Sequence, residues 1–379
     1  MPGINTGDIM RVMIIAESVY PYRIGGIEMH VYNLAKHLTK NGHEVEIITG
    51  EGIIKLTSRN LNLSKKSSFK RLCHLLKGRF DIIHVHGIAL RRVFPCFMFE
   101  TGLLLVLLKL LRKRVICTPH GGIDIILKKQ ELEHKMYYFV IRLILSKLID
   151  KFIVVYPGQE DVFRKAGIDE KKVIFIPNGI PEHFFQRVDA KSFKEKYGLE
   201  NQKIISFIGR LIPEKRIEDL LSIMPKVVEK KECVAVIAGP VRDSAYLTKL
   251  LDLIKKFNLQ KSVLLLGEIS EAEKVNLLAC TDIFVSPSSY EAFGISIAEA
   301  MAYGVPVVSA DNPGARYLLE NGKYGYLYEV GNKEELLTKI LCLIDNPKKA
   351  EEMGGRGRRR AEEFRWRKIV ERVIKEAYM

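Results

Sequence analysis

The sequence predicts two doubly wound α/β domains in series, each a largely parallel sheet covered by helices. Three observations carry that prediction. Short runs rich in Ile and Val alternate with amphipathic stretches along the whole chain. Most of these runs are apolar on both faces, as a strand buried between two helix layers must be. The alternation then starts afresh after residue 200, behind the turn Pro177-Asn178-Gly179 and a polar stretch.

In the first half the pattern places strands at 10–16, 44–49, 81–86, 114–118, 151–155 and 173–176, and helices at 27–40, 88–111, 133–146 and 158–165. In the second half strands are expected at 203–207, 234–238, 263–266, 283–286 and 305–309, with helical stretches between them. The domains read as 9–180 and 200–361, joined by a linker at 181–199 and followed by a terminal segment, 362–379. Within that segment Phe364-Arg365-Trp366 precedes an amphipathic stretch at 368–378. Residues 1–8 read as a loose leader. No tandem repeat or low-complexity tract is present.

Composition narrows the class. The chain has 379 residues, 47% hydrophobic and 28% charged, which suits an ordered protein with two domains and excludes a disordered one. The six cysteines are scattered without a C-x-x-C pair, so they read as buried thiols in a reducing compartment. The most apolar stretch, 93–111, is broken by Pro95, Glu100, Gly102 and Lys109, and reads as a core helix in preference to a membrane span. The net charge of +15 sits in the first half: residues 1–199 hold 32 Lys+Arg against 19 Asp+Glu, the remainder 28 against 26. An anionic partner for that half follows. No groove-reading or base-stacking motif accompanies the charge, so nucleic acid is not that partner.

In doubly wound sheets ligands bind beyond the carboxyl ends of the strands, and the informative residues stand there. Gly25-Gly26 precede a helix whose free N–H groups attract phosphate; a plain tight turn is the alternative. His84 and His86 share one strand face and suit a cleft wall or packing better than a metal site, because no carboxylate or cysteine stands at ligand spacing. His120 follows a strand among small residues, where an imidazole can meet a ligand or sit satisfied in its loop. Arg210 and Lys215 follow the first strand of the second half and suit a diphosphate, or a solvated basic turn. The segment 286–308 is the most informative. A Pro/Ser loop holds Glu291, Gly294 opens an apolar helix, and Glu299 lies on that helix, where it needs a partner. Ribose hydroxyls would supply one.

Together these loops resemble glycosyltransferase family 4 across nearly the whole chain, through G-G-I-E-x-H, H-V-H-G, T-P-H-G, I-P-N-G-I, F-I-G-R-L-x-x-E-K and the Glu291-x7-Glu299 segment. The resemblance implies a GT-B fold: two facing Rossmann-like domains, acceptor site on the first, nucleotide-sugar site on the second, and a last helix crossing back to the first, with Trp366 as a packing anchor. It implies a retaining, metal-independent hexosyl or N-acetylhexosaminyl transferase without a cofactor. Arg210 and Lys215 would bind the departing diphosphate, Glu299 the ribose and backbone near Ile269 the base. Glu291 and the backbone of Ala292, Phe293 and Gly294 would meet the donor sugar. Gly25 and Gly26 would face the diphosphate or the sugar, and His120 the reacting carbon. UDP is preferred slightly to GDP as the donor nucleotide. The absence of Asp-x-Asp agrees with cationic side chains in place of a metal ion.

The acceptor is read from charge. Segment 65–79 places Lys65, Lys66, Lys70 and Arg71 among Phe69, Leu72, Leu75 and Leu76, a basic amphipathic pattern that suits an anionic membrane surface or an ordinary solvated helix. A lipid-linked acceptor at the cytoplasmic membrane face is one expectation. A soluble glucan or small-molecule acceptor is the alternative, with the chain cytoplasmic in either case.

Overall fold

The computed structural model describes residues 9–23, 25–57, 61–87, 106–120, 146–165 and 167–379. The expected leader, the helix at 133–146 and all but the end of the helix at 88–111 lie outside the described residues, as does most of the apolar stretch 93–111. Among the described residues no helix is long and apolar enough to cross a membrane.

The chain forms two compact units, one from Met1–Gly179 with Trp366–Met379, the other from Ile180–Arg365. The stretch 181–199, read as a linker, therefore belongs to the second unit. The strands of the first unit are β1 (Arg11–Ile15), β2 (Glu44–Ile48), β3 (Ile53–Leu56), β4 (Leu61–Ser64), β5 (Ile82–His86), β6 (Arg114–Thr118), β7 (Lys151–Val154) and β8 (Val173–Phe175), in the order β4-β3-β2-β1-β5-β6-β7-β8. Neighbours from β2 to β8 pair in parallel, whereas β3 and β4 add an antiparallel edge that the sequence reading did not anticipate.

Alternation splits the first core in two. Met13, Ile15, Ile83, Val85 and Cys117 pack on one face of the sheet. Val12, Ile14, Ile82 and Ile116 pack on the other, together with Trp366, Ile369, Val370 and Tyr378 from the chain's end. The helix Trp366–Arg372 and the turns that follow it are thus part of the first unit's core. Trp366 is 1% exposed, and its ring lies against Gly179, where an added Cβ would come within 2.3 Å of it.

The second unit holds β9 (Lys203–Ile208), β10 (Cys233–Ala238), β11 (Val263–Gly267), β12 (Ile283–Ser286), β13 (Val307–Ala310) and β14 (Tyr326–Tyr328), all parallel, in the order β11-β10-β9-β12-β13-β14. The short β14 was not foreseen. Strand order reverses beside β9, between the β9 and β12 exits, so the loops after these strands open where doubly wound sheets bind ligands.

Candidate nucleotide-sugar site

In the second unit the three exits of β9, β10 and β11 are laced together. Gly209 N–H donates to Ala238 O (2.9 Å) and Gly239 N–H to Gly267 O (2.7 Å). Gly239 has φ 142°, and a Cβ there would stand 1.9 Å from Gly209 O, so only glycine permits this approach. Arg210 follows at once. It is exposed and makes no ion pair among the described residues. Lys215 lies five positions on, in a 3-10 turn just before the helix Ile217–Lys230.

Lys215 Nζ pairs with Glu291 Oε1, both side chains being less than one-fifth exposed. The loop after β12 that carries Glu291 is fixed from two sides. Ser289 N–H and Oγ–H donate to Glu214 O (2.9 and 3.1 Å), and Gly314 N–H donates to Glu291 O (3.0 Å). Asn312 caps the helix Pro313–Leu319 and donates from Nδ2 to Ser288 O (2.9 Å). Ala292 is half-buried, and Phe293 and Gly294 are buried. Gly294, at φ 86°, is the N-cap of the helix Ile295–Tyr303 and offers no side chain to its first turn. Those N–H groups suit an anion.

Glu299, 4% exposed, lies on that helix. The partner it needs is present in the protein itself: Lys274 Nζ stands 2.9 Å from its Oε1. The same ammonium is 2.9 Å from Glu271 Oε1, and His183 Nε2 is 3.5 Å from Glu271 Oε2. Burial drives the Glu299 carboxyl above its ordinary value, with Lys274 pulling the other way. The Glu271 carboxyl is held down at about 2: burial opposes this, and His183 and Lys274 outweigh it. Ile269 precedes the helix Glu271–Cys280, whose start is fixed by a capping box between Ser270 and Glu273.

In the first unit β5 and β6 put His84, His86 and His120 beside His30 of the helix Gly26–Lys40. His86 Nδ1 lies 2.8 Å from His120 Nε2, and His30 Nδ1 lies 2.9 Å from Asn178 Oδ1. His84 is used in packing, between Tyr378 OH (2.7 Å) and Thr118 Oγ1 (2.8 Å). Burial holds all four imidazoles neutral, with His30 down at about 4 and His84 at about 3. His120 has φ 56°, a left-handed conformation uncommon outside glycine, and keeps part of its surface open. Among the described residues His30, His86 and His120 can bring one ring nitrogen each within 4.8 Å of the others, which the sequence spacing of His84 and His86 did not reveal. Gly25 caps the helix Gly26–Lys40 in extended backbone, and a Cβ there would meet Glu28 Oε2 at 2.3 Å.

The basic segment is rearranged relative to expectation. Its helix is Ser68–Lys77, so Lys65 and Lys66 precede it, exposed. Lys70 is exposed on the helix, but Arg71 is 5% exposed and donates to Gly50 O and Lys66 O (both 3.0 Å). Its guanidinium ties the helix to the sheet instead of facing outward. Lys66, Lys70, Cys73, His74 and Lys77 line a cavity of about 420 Å³.

Sequence reasoning missed Lys274, Glu271 and His183, which only packing brings to Glu299, and His30 and Asn178, which stood inside quoted motifs without an assigned role. The motif residues themselves stand at strand exits and helix starts. The family pattern described as "Glycosyltransferase Family 4" matches residues 24–184, and that described as "Glycosyl transferases group 1" matches residues 189–360.

The chain belongs to glycosyltransferase family 4.

This family 4 chain is 24% identical to N-acetyl-alpha-D-glucosaminyl L-malate synthase of Bacillus anthracis across 94% of each protein. It is 26% identical to UDP-Gal:alpha-D-GlcNAc-diphosphoundecaprenol alpha-1,3-galactosyltransferase of Escherichia coli over 76% of this chain and 73% of that protein. Its fold matches Anabaena Alr3699/HepE in complex with UDP and glucose with a TM-score of 0.73 at 19% identity, covering 97% of this chain and 98% of that one. The architecture is GT-B, and the activity is transfer of a sugar from a nucleotide-sugar donor to an acceptor.

Proposed function

We propose that the chain is a retaining, metal-independent transferase of a hexose or N-acetylhexosamine, with UDP-sugar as the preferred donor and a hydroxyl acceptor carried on a lipid. The observation that carries the donor reading is the loop Ser288–Gly294. It joins the Lys215–Glu291 pair to an uncapped helix start, with Glu299 five residues further on.

As the glycosyl–phosphate bond breaks, positive charge grows at the anomeric carbon and negative charge on the departing diphosphate. Arg210, Lys215 and the N–H groups beyond Gly294 stabilise the diphosphate, and Glu291 contacts the sugar. Glu299 accepts from the ribose hydroxyls, and backbone at Ile269 meets the base. Gly25, Gly26 and His120 act on the donor's phosphate and sugar. The acceptor oxygen bonds to the anomeric carbon on the face the diphosphate leaves, and its proton passes to a phosphate oxygen, so configuration is kept without a second carboxylate. The preference for UDP draws on the relatives whose names carry it.

The exposed cations Lys65, Lys66 and Lys70, beside Phe69 at 74% exposure, favour an acceptor at an anionic membrane surface. A thermal-shift screen of UDP, GDP and ADP sugars tests the donor, since a ligand of the folded state raises Tm; no shift with any of them rejects the reading. Flotation with anionic vesicles tests the surface. Salt-sensitive binding is expected, and its absence favours a soluble glucan or small-molecule acceptor.

A further inference from the structure

We propose that Lys274 is a positioning residue for nucleotide binding: bridging Glu299 and Glu271, it keeps Glu299 ionised and leaves its second oxygen directed to the ribose hydroxyls. This rests on the reading that Glu299 meets the ribose.

A carboxylate this deeply buried on an apolar helix is unfavourable without a compensating charge, and would otherwise take up a proton. A protonated carboxyl gives up part of its capacity to accept from two vicinal hydroxyls. The Lys274 ammonium acts against that. Its side chain is 15% exposed and that of Glu299 6%, so their 2.9 Å contact is poorly screened by solvent. The bond engages Oε1 of Glu299. Oε2 has no hydrogen-bond partner among the described residues, and it is not sealed from solvent.

The ammonium is itself held on three sides. Glu271 Oε1 lies at 2.9 Å, and the Phe184 ring lies beneath it with its centroid at 5.0 Å. His183, next to Phe184, in turn approaches Glu271. The helix that carries Lys274 begins two residues after Ile269, the position assigned to the base, and the capping box fixes that start. One rigid element therefore sets both the base contact and the charge behind the ribose carboxylate.

The test is calorimetry of the full chain with UDP, GDP and ADP, each compared with its 2′,3′-dideoxy analogue. In the unaltered protein, the nucleotide that binds should lose about 10-fold or more in affinity without the ribose hydroxyls. Lys274→Met is expected to weaken the ribonucleotide about 10-fold and to bring the ribo/dideoxy ratio close to one, with Lys274→Arg restoring most of both. A wild-type ratio in Lys274→Met overturns the proposal. Glu299→Gln separates the two levels. If it keeps the full ratio, or if no nucleotide binds the unaltered chain, the ribose reading itself fails. If it flattens the ratio and Lys274→Met does not, only the role of Lys274 fails. Should Lys274→Met not fold, Lys274→Gln and Lys274→Arg decide: equal affinities in these two overturn the role of the charge.

Discussion

Lys215 and Glu291, 76 positions apart, form an ion pair in which the side chains are 12% and 16% exposed. The pair ties the turn after β9 to the loop after β12. In the proposed mechanism a cation held there by a carboxylate would be oriented before the diphosphate arrives, leaving little reorganisation for the bond-breaking step.

Lys215→Ala is accordingly expected to lower kcat by about 100-fold or more, equivalent to about 2.7 kcal/mol of lost transition-state stabilisation. Steady-state kinetics with the donor found by the thermal-shift screen measures it. Turnover within about threefold of the unaltered enzyme would remove Lys215 from the chemistry.

Dialysis against EDTA should leave turnover unchanged, because in the proposed mechanism Arg210 and Lys215 would supply the positive charge that a divalent ion would otherwise bring. Activity lost to the chelator and recovered with Zn²⁺ would instead point to His30, His86 and His120.

Acidification should destabilise the first unit. An unfolded histidine titrates near 6.5, whereas burial keeps His30 neutral down to about 4 and His84 down to about 3. Between those values the unfolded chain binds the extra protons, so this contribution is complete above pH 6.5 and is lost as pH falls below it. Melting curves from pH 7.5 to 5 should show a falling Tm. His84→Gln, in which nothing titrates at this position, should show a shallower fall.

Gly239→Ala should destabilise the protein by about 2 kcal/mol or more, since the new Cβ would overlap Gly209 O and φ 142° is strained for alanine. Denaturant titration measures the loss. Because Arg210 follows Gly209, donor affinity should fall as well.

Trp366→Ala should cost about 3–5 kcal/mol, the range for removing a large aromatic side chain from a packed core. Calorimetric scanning should show the loss in the transition of the first unit.

Much of this was legible in the sequence, for identifiable reasons. β1, β5, β9 and β12 are buried strands, so their apolar runs stand out, and chemistry at strand exits follows from the winding of the sheet. The antiparallel strands β3 and β4 escaped notice because they are four residues long and carry Lys55 and Asn62. Glu299 was recognisable as a carboxylate in need of a partner. That the partner is Lys274 depends on how two helices pack, and no spacing in one dimension encodes it. Arg71 failed in the opposite sense. Its periodicity places it among surface cations, but the backbone carbonyls of Gly50 and Lys66 draw it inward.

The return of Trp366 to the helix Gly26–Lys40, and of Tyr378 to His84 of β5, also sets an order of assembly. Residues 180–365 are interposed between two parts of one folding unit. On the ribosome, a chain halted anywhere before Trp366 would have Val31, Leu34 and Leu38 over that face of the sheet but would lack the part of the cover that Trp366, Ile369, Val370 and Tyr378 supply. The second unit has all its own residues by Arg365 and can close first. The earlier-made unit gains its last wall only with the residues from Trp366 onward.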